Sequence, residues 1–238
     1  MIVENIKATT DITLFHVAGE TANAQYVLLR NISHTGTQSA SNNISSIMIG
    51  NYSNYTPYGP RYVVVYNSDI REIGTLASDA GGISFVWNAQ DIWVLNSTIQ
   101  SVGADSIAGC HTCNTDGYQP HRIFIGGNTL GTNGDKKSGE NCIDHKGVHD
   151  LIISTNICVG PFYREQGWGI VLHDSEATSH PIIENAWVIF NKFYYVSSGV
   201  GVVSDGSNNA YVIGNLFYDI GRTYCAEVCS DGWSDNGV

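Results

Sequence analysis

The stretch Trp187-Val188-Ile189-Phe190-Asn191-Lys192-Phe193 joins a short apolar run to an asparagine and to a further apolar residue two positions later. The same pattern occurs seven times, with its asparagines at Asn31, Asn67, Asn96, Asn128, Asn156, Asn191 and Asn215. Consecutive asparagines are 36, 29, 32, 28, 35 and 24 residues apart. A variable spacing with a lower limit is typical of a coil that has a fixed minimal turn and loops of differing length.

A second, shorter pattern lies between these runs. It occurs as Gly82-Ile83-Ser84-Phe85-Val86, Ser106-Ile107-Ala108-Gly109, Cys142-Ile143-Asp144-His145-Lys146, Gly169-Ile170-Val171-Leu172-His173 and Val200-Gly201-Val202-Val203. Each repeat therefore carries about two strands, which cannot bury both faces alone and must stack on neighbouring repeats. The recurring asparagine fits an internal ladder in which each side-chain amide bonds the amides above and below.

The composition favours strands over helices. The 238 residues include 45 Ile and Val against 9 Leu, together with 21 Asn, 26 Gly and only 5 Lys. β-branched residues favour strands, whereas helix-rich proteins favour Leu, Ala, Glu and Lys. With 42% hydrophobic and 14% charged residues, the composition excludes a disordered chain.

These repeats resemble those of the right-handed parallel β-helix proteins of the pectate-lyase-like superfamily, over roughly residues 20–220. The resemblance implies an all-β fold, a single-stranded right-handed parallel β-helix or solenoid. A β-sandwich is the competing fold, but the hairpin dipeptide Asn-Gly occurs only at Asn133-Gly134 and Asn236-Gly237. No linker or charge block divides the chain, so we expect residues 1–238 to form one domain.

Charge and hydropathy exclude some partners. The formal net charge is −11 and the longest basic run is Lys136-Lys137, so nucleic acid is not an expected ligand. No apolar stretch is long enough to span a bilayer. The start, Met1-Ile2-Val3-Glu4, lacks the basic and apolar segments of a signal peptide. Both ends are abrupt, which leaves open that the chain is a segment excised from a longer one and that it associates end to end.

The alternation of inward and outward side chains along a strand predicts a polar cluster on the outer face of the middle repeats. If Ile143 points inward, Asp144 and Lys146 point outward and His145 points inward. The register then places Lys146 beside His173 in the next repeat. An outward Asp144–Lys146 ion pair of little energetic weight is the plain alternative.

This cluster suits a carbohydrate-active enzyme that cleaves an acidic polysaccharide by β-elimination. A base takes the proton next to a uronate carboxylate, while cations neutralise that carboxylate. We expect Lys146, His173 and Asp144 to be catalytic, with Lys146 or His173 as the base. The predicted substrate contacts are Arg122, Arg164, Lys137, Asp174 and Trp168. Oxygen ligands from Glu140, Asp144 and Asp116 could hold Ca²⁺ as a cofactor.

A second resemblance points to a hydrolase. Asn114-Thr115-Asp116-Gly117 and Gly139-Glu140-Asn141-Cys142-Ile143 resemble a motif pair of the pectin-degrading polygalacturonase family. That family has two adjacent Asp before the Cys and a later Gly-His-Gly, where this chain has Glu140-Asn141 and Gly167-Trp168-Gly169. The carry-over implies a glycoside hydrolase that uses Asp116 and Glu140. It also implies a disulfide between Cys142 and Cys158.

Six cysteines form an even set, and Cys110/Cys113 and Cys225/Cys229 could be two further disulfides of an extracellular protein. The alternative for Cys110-His111-Thr112-Cys113 is metal or redox chemistry. His34 and His149 lie next to turn-like residues, so we expect them at the surface. A third function stays open: a non-catalytic structural or glycan-binding β-helix in an adhesin, tail fibre or filament.

Overall fold

The computed structural model describes residues 1–19, 23–39, 44–51, 58–109, 119–134, 136, 138–163, 167–173, 183–203 and 208–221. These residues form twenty-three strands and no helix, so the described part of the chain contains no helix that could span a membrane. The strands belong to three parallel sheets in which each strand pairs with the strand one coil away. This arrangement confirms the predicted parallel β-helix.

The three sheets run side by side along the coil, and the chain passes from sheet A to sheet B to sheet C in each of the first seven turns. Sheet A contains β1 (Ile2–Glu4), β4 (Gln25–Arg30), β7 (Arg61–Tyr66), β10 (Gln90–Leu95), β13 (His121–Gly126), β16 (Val148–Ser154), β19 (Ile183–Ile189) and β22 (Asn208–Ile213). Sheet B contains β2 (Lys7–Thr9), β5 (Ser33–Thr35), β8 (Asp69–Arg71), β11 (Thr98–Gln100), β14 (Thr129–Gly131), β17 (Ile157–Val159), β20 (Lys192–Tyr194) and β23 (Leu216–Tyr218). Sheet C contains β3 (Phe15–Val17), β6 (Ser45–Ile49), β9 (Gly81–Phe85), β12 (Ile107–Gly109), β15 (Ile143–Lys146), β18 (Trp168–His173) and β21 (Ser198–Val203).

Equivalent residues of successive coils stand in columns because every pairing is parallel and in register. Fully buried columns of β-branched and leucine side chains fill the interior, as at Val65, Val94, Ile125 and Ile153 in sheet A. The alternate residues of sheet A point to solvent and form a second column, here called the outer apolar column: Ile2, Leu28, Val64, Trp93, Phe124, Ile152, Trp187 and Tyr211.

A two-residue turn joins sheets A and B in every coil, and the seven asparagines of the repeat occupy both of its positions. Asn31, Asn67 and Asn96 take the first position, where φ lies between 48° and 54°. Asparagine tolerates this left-handed conformation better than most residues do. These side chains face solvent, and Asn67 Nδ2 donates to Asn31 Oδ1 over 2.8 Å. They form an exterior ladder, which differs from the internal ladder that the repeat predicts.

The later asparagines take the second position of the turn and point inward. Asn128, Asn156, Asn191 and Asn215 form the predicted internal ladder, in which each Nδ2 donates to Oδ1 of the next asparagine over 2.9 to 3.0 Å. The same oxygen also accepts the backbone N–H of the preceding asparagine, as between Asn128 N and Asn156 Oδ1 at 2.9 Å. A buried turn thus has its backbone donors satisfied by side chains, as a low-dielectric interior requires.

Sheets B and C face each other across the interior, and their inward side chains differ in size. Sheet B contributes large ones, such as Ile99 and Phe193, whereas sheet C places Gly82 and Gly169 opposite them. A Cβ at Gly169 would lie 2.3 Å from the Phe193 ring, so only glycine fits there. One coil before Gly169, the disulfide between Cys142 and Cys158 links the residue that precedes β15 of sheet C to β17 of sheet B. The structure therefore contains the pairing that the polygalacturonase resemblance implies.

His34 is fully buried in the inward column of sheet B, so its predicted surface location is wrong. Its Nδ1 contacts Ser46 Oγ at 2.6 Å and its Nε2 contacts the Thr10 carbonyl at 3.0 Å. Burial lowers the pKa of His34, because desolvation disfavours the charged imidazolium. Ser33 and Thr35, which resemble turn residues in the sequence, are instead the outward positions of β5.

We expect the folded protein to lose stability as the pH falls below about 6.5, the pKa of an imidazole in an unfolded chain. A buried His34 with a lowered pKa binds its proton less readily than the unfolded chain does, so acid favours unfolding. Thermal unfolding between pH 8 and pH 5 measures this loss. His34→Gln, which keeps polar atoms but does not titrate, should flatten the profile. An unchanged pH dependence in His34→Gln would contradict the assignment.

Candidate functional site

The outer face of β15 presents the predicted cluster. Ile143 and His145 are fully buried and point inward, so Asp144 and Lys146 point outward. The register pairs Lys146 with His173 on β18, as the alternation predicts. Cys110, which directly follows β12 on the other side of β15, lies outside the described residues.

Asp144 and His173 contact each other on this face. His173 Nε2 lies 2.9 Å from Asp144 Oδ1, with the two side chains 24% and 8% exposed. An ionised carboxylate can only accept hydrogen bonds, so the neutral imidazole that forms this bond carries its hydrogen on Nε2. Nδ1 of His173 is then the basic nitrogen. A nearly buried carboxylate therefore fixes both the tautomer and the orientation of a partly exposed histidine.

Lys146 stands beside this pair without joining it. Within the described part of the chain, its amine makes no ion pair or hydrogen bond, and Asp144 bonds His173 instead. The described residues therefore show an Asp144–His173 contact and no Asp144–Lys146 ion pair.

His145, the inward residue between Asp144 and Lys146, holds β15 in place. The ring of His145 stacks on Phe85 with centroids 5.8 Å apart. It also packs against Gly109, where a Cβ would lie 2.3 Å from the ring. The predicted core position of His145 is confirmed, and this packing holds Asp144 and Lys146 in their outward orientation.

Trp168 lies on the same outer face. The indole packs over Gly201, where a Cβ would lie 2.5 Å from the ring. Gly201 belongs to the outward column of sheet C that also contains Asp144 and Val171. Adjacent strands are about 4.8 Å apart, so the aromatic ring stands roughly 10 Å along the coil from the Asp144 column position.

Other predicted residues lie elsewhere. Arg122 projects from sheet A and bonds Asp91 through two nitrogens, at 2.6 Å and 2.8 Å. This guanidinium lowers the pKa of Asp91. Glu140 precedes β15 by three residues, at the opposite end of that strand from Lys146. Lys137, Arg164, Asp174 and Asp116 lie outside the described residues, as do Cys110, Cys113, Cys225 and Cys229.

The chain turns sharply at the site. A single residue, Gly147 at φ 58°, connects β15 of sheet C to β16 of sheet A. The corresponding connections in the two adjacent coils are longer and comprise residues 110–120 and 174–182. Lys146 and His173 therefore lie beside the shortest corner between these two sheets.

A second carboxylate–histidine pair beyond this corner was missed by the sequence analysis. His149 Nδ1 lies 2.7 Å from Glu184, and Nε2 contacts the Gln119 side chain. The side chain of His149 is only partly exposed, so its predicted surface location is correct in part. A signal was present, because His121, His149 and Glu184 follow one another at 28 and 35 residues. These spacings equal those between Asn128, Asn156 and Asn191.

The described residues contain no group of three or more His, Cys, Asp or Glu side chains that could hold a metal ion. Asp116, one of the predicted calcium ligands, lies outside the described residues. The calcium site therefore stays a prediction.

No protein-family model, curated protein or solved structure matches the chain. The protein is a parallel β-helix with a histidine, a lysine and a nearly buried carboxylate on one face. Fold alone does not determine function, so the chemistry of that face is what indicates an activity.

Proposed function

We propose that this protein cleaves an acidic, uronate-containing polysaccharide by β-elimination on the outer face of sheet C. The observation that carries the proposal is the 2.9 Å contact between His173 and the nearly buried Asp144, beside Lys146, whose amine has no partner among the described residues. These groups supply an oriented base and a positive charge, the two requirements of uronate elimination.

The residues take separate roles in the reaction. Nδ1 of His173 takes the proton from the carbon next to the uronate carboxylate. The electron pair of that C–H bond forms a carbon–carbon double bond as the glycosidic C–O bond breaks, and the leaving oxygen acquires a proton from water. Lys146 stabilises the negative charge that builds up on the carboxylate. Asp144 stabilises the imidazolium that forms at His173, as the orienting carboxylate of a catalytic triad does.

The face also suits a polymeric substrate. Side chains repeat along the coil every 4.8 Å or so, which lets an extended chain meet successive columns. Trp168 offers an apolar ring surface on the same sheet as Asp144. In a chain of net charge −11, Lys146 provides a local attraction for a uronate. We also propose an extracellular location, which the Cys142–Cys158 disulfide supports.

A panel of pectate, alginate, chondroitin and hyaluronan tests the reaction class. We expect one substrate to give ultraviolet absorbance from a new unsaturated uronate. Assays with added calcium and with chelator determine whether the predicted calcium ion is required. New reducing ends without absorbance would favour a hydrolase and direct attention to Asp116 and Glu140. The absence of both new absorbance and new reducing ends across the panel would reject catalysis on these polymers.

A further inference from the structure

The outer apolar column of sheet A is a flat solvent-facing surface that the proposed site does not use. The column runs through all eight strands of the sheet, and Ile152 on the sixth strand is 38% exposed. Monomeric proteins rarely expose a continuous apolar surface of more than a few hundred Å². We therefore expect a binding partner to cover this surface.

The aromatic rings of this face stack on one another. Trp187 and Tyr211 lie 4.1 Å apart with an interplanar angle of 22°. Tyr26 and Tyr62, in the neighbouring outward column, lie 5.0 Å apart at 11°. Each of these rings thus has a face covered by its neighbour in the next coil. Sugars stack on free ring faces, so this arrangement fits a flat protein surface better than a glycan.

The charge on this face is nearly balanced. Glu4 pairs with Arg30, Asp91 pairs with Arg122, and Asp150 is a further outward charge. Arg61 and Glu184, near the starts of their strands, add one charge of each sign. Three positive and four negative residues give a net charge of −1, against −11 for the whole chain. Two copies of an acidic protein repel each other least where such a face meets itself.

The size of the face matches that of a stable interface. Eight strands spaced by about 4.8 Å, with three outward residues on each except β1, which has two, cover roughly 38 by 20 Å, or about 750 Å². Two such faces in contact bury about 1,500 Å² in total, within the usual range of specific interfaces.

We propose that a second copy of this chain covers the outer apolar column in a two-fold symmetric dimer. An axis parallel to the strands, between β10 and β13, reverses the order of the coils. It places Trp93 against Phe124 of the second copy and Val64 against Ile152. Along the next column, Arg122 meets Asp91 of the second copy, so opposite charges face each other. Such an isologous contact closes on itself and stops at two copies.

The dimer is independent of the proposed activity. Sheet C, with Asp144, Lys146 and His173, is a different sheet of the coil and does not take part in this contact. A monomeric variant is therefore expected to keep any lyase activity, so the two proposals fail separately.

Light scattering coupled to size exclusion, over a concentration series, tests the dimer. The wild-type chain should approach twice 25.8 kDa as its concentration rises. Ile152→Lys should weaken dimerisation roughly tenfold or more, because symmetry places two added charges in the contact. Ile157→Lys is the matched control, since Ile157 is 37% exposed but lies on sheet B. Leu28→Lys, expected to face Trp187 of the second copy, is a second test of the same surface.

A wild-type chain that stays monomeric at all concentrations would overturn the proposal. Equal loss of dimer in Ile152→Lys and Ile157→Lys would also overturn it, as would growth beyond two copies by end-to-end association. Affinity electrophoresis in gels containing the same polysaccharides tests whether a glycan binds this face instead. A monomeric wild type whose retardation is lost in Ile152→Lys would assign the face to a glycan.

Discussion

His173→Ala should lower the rate of uronate elimination by roughly 10²- to 10⁴-fold, the usual contribution of a positioned general base. The imidazole is held by Asp144 at 2.9 Å, and water in its place has no comparable orientation. Asp144→Asn should cause a loss of similar order, because an amide can donate to Nε2 and stabilise the wrong tautomer. Initial rates of absorbance increase on the preferred polymer measure both effects.

Lys146→Ala tests the charge separately from the base. Loss of a positive charge at a developing anion is expected to reduce the rate by about 10²- to 10³-fold. Two matched controls should keep near wild-type rates: Lys192→Ala on sheet B, and His16→Ala, which changes another outward histidine of sheet C four strands away from Asp144. Equal losses in the controls would show a general effect on folding and count against the assigned roles.

Asn156→Ala should destabilise the fold by about 3 kcal/mol, because it removes a buried amide from the internal ladder. Its Oδ1 accepts the backbone N–H and the side-chain amide of Asn128, and its Nδ2 donates to the Ile125 carbonyl at 3.0 Å. The backbone N–H of Asn128 would be left buried without this acceptor. Chemical denaturation with a fitted free energy of unfolding measures the loss.

The exterior ladder provides the matched control for this prediction. Asn67→Gly removes the hydrogen bond to Asn31 but keeps access to the left-handed conformation at φ 48°. Because the pair is exposed, water replaces the lost bond and the cost should stay below about 1 kcal/mol. A loss at Asn67 as large as that at Asn156 would contradict the distinction between the two ladders.

The repeat in the sequence was sufficient to predict the coil but not the location of each asparagine. Asn96 and Asn128 both follow an apolar run, yet the first points to solvent and the second into the core. The difference is one residue: Asn96 directly follows β10, whereas Gly127 intervenes between β13 and Asn128. A shift of one position in the turn decides the side on which an amide lies, and the apolar runs alone do not show where each strand ends.

The alternation of inward and outward residues along the strands was sufficient to predict part of the site. Alternation and the repeat together placed Lys146 beside His173, which the register confirms. They could not show that Asp144 bonds His173 rather than Lys146, because that depends on side-chain rotamers across two coils. The neighbours of His149 in the sequence do not reveal its pairing with Glu184. The pair becomes evident only when residues at equivalent positions of successive coils are compared.

The most direct test of the proposed elimination is the number of unsaturated uronate ends formed per new reducing end, with wild type and His173→Ala assayed side by side. The proposal predicts one unsaturated end for each new reducing end in the wild type, and a strong loss of both in His173→Ala. Reducing ends formed without unsaturated ends, or an undiminished rate in His173→Ala, would contradict it.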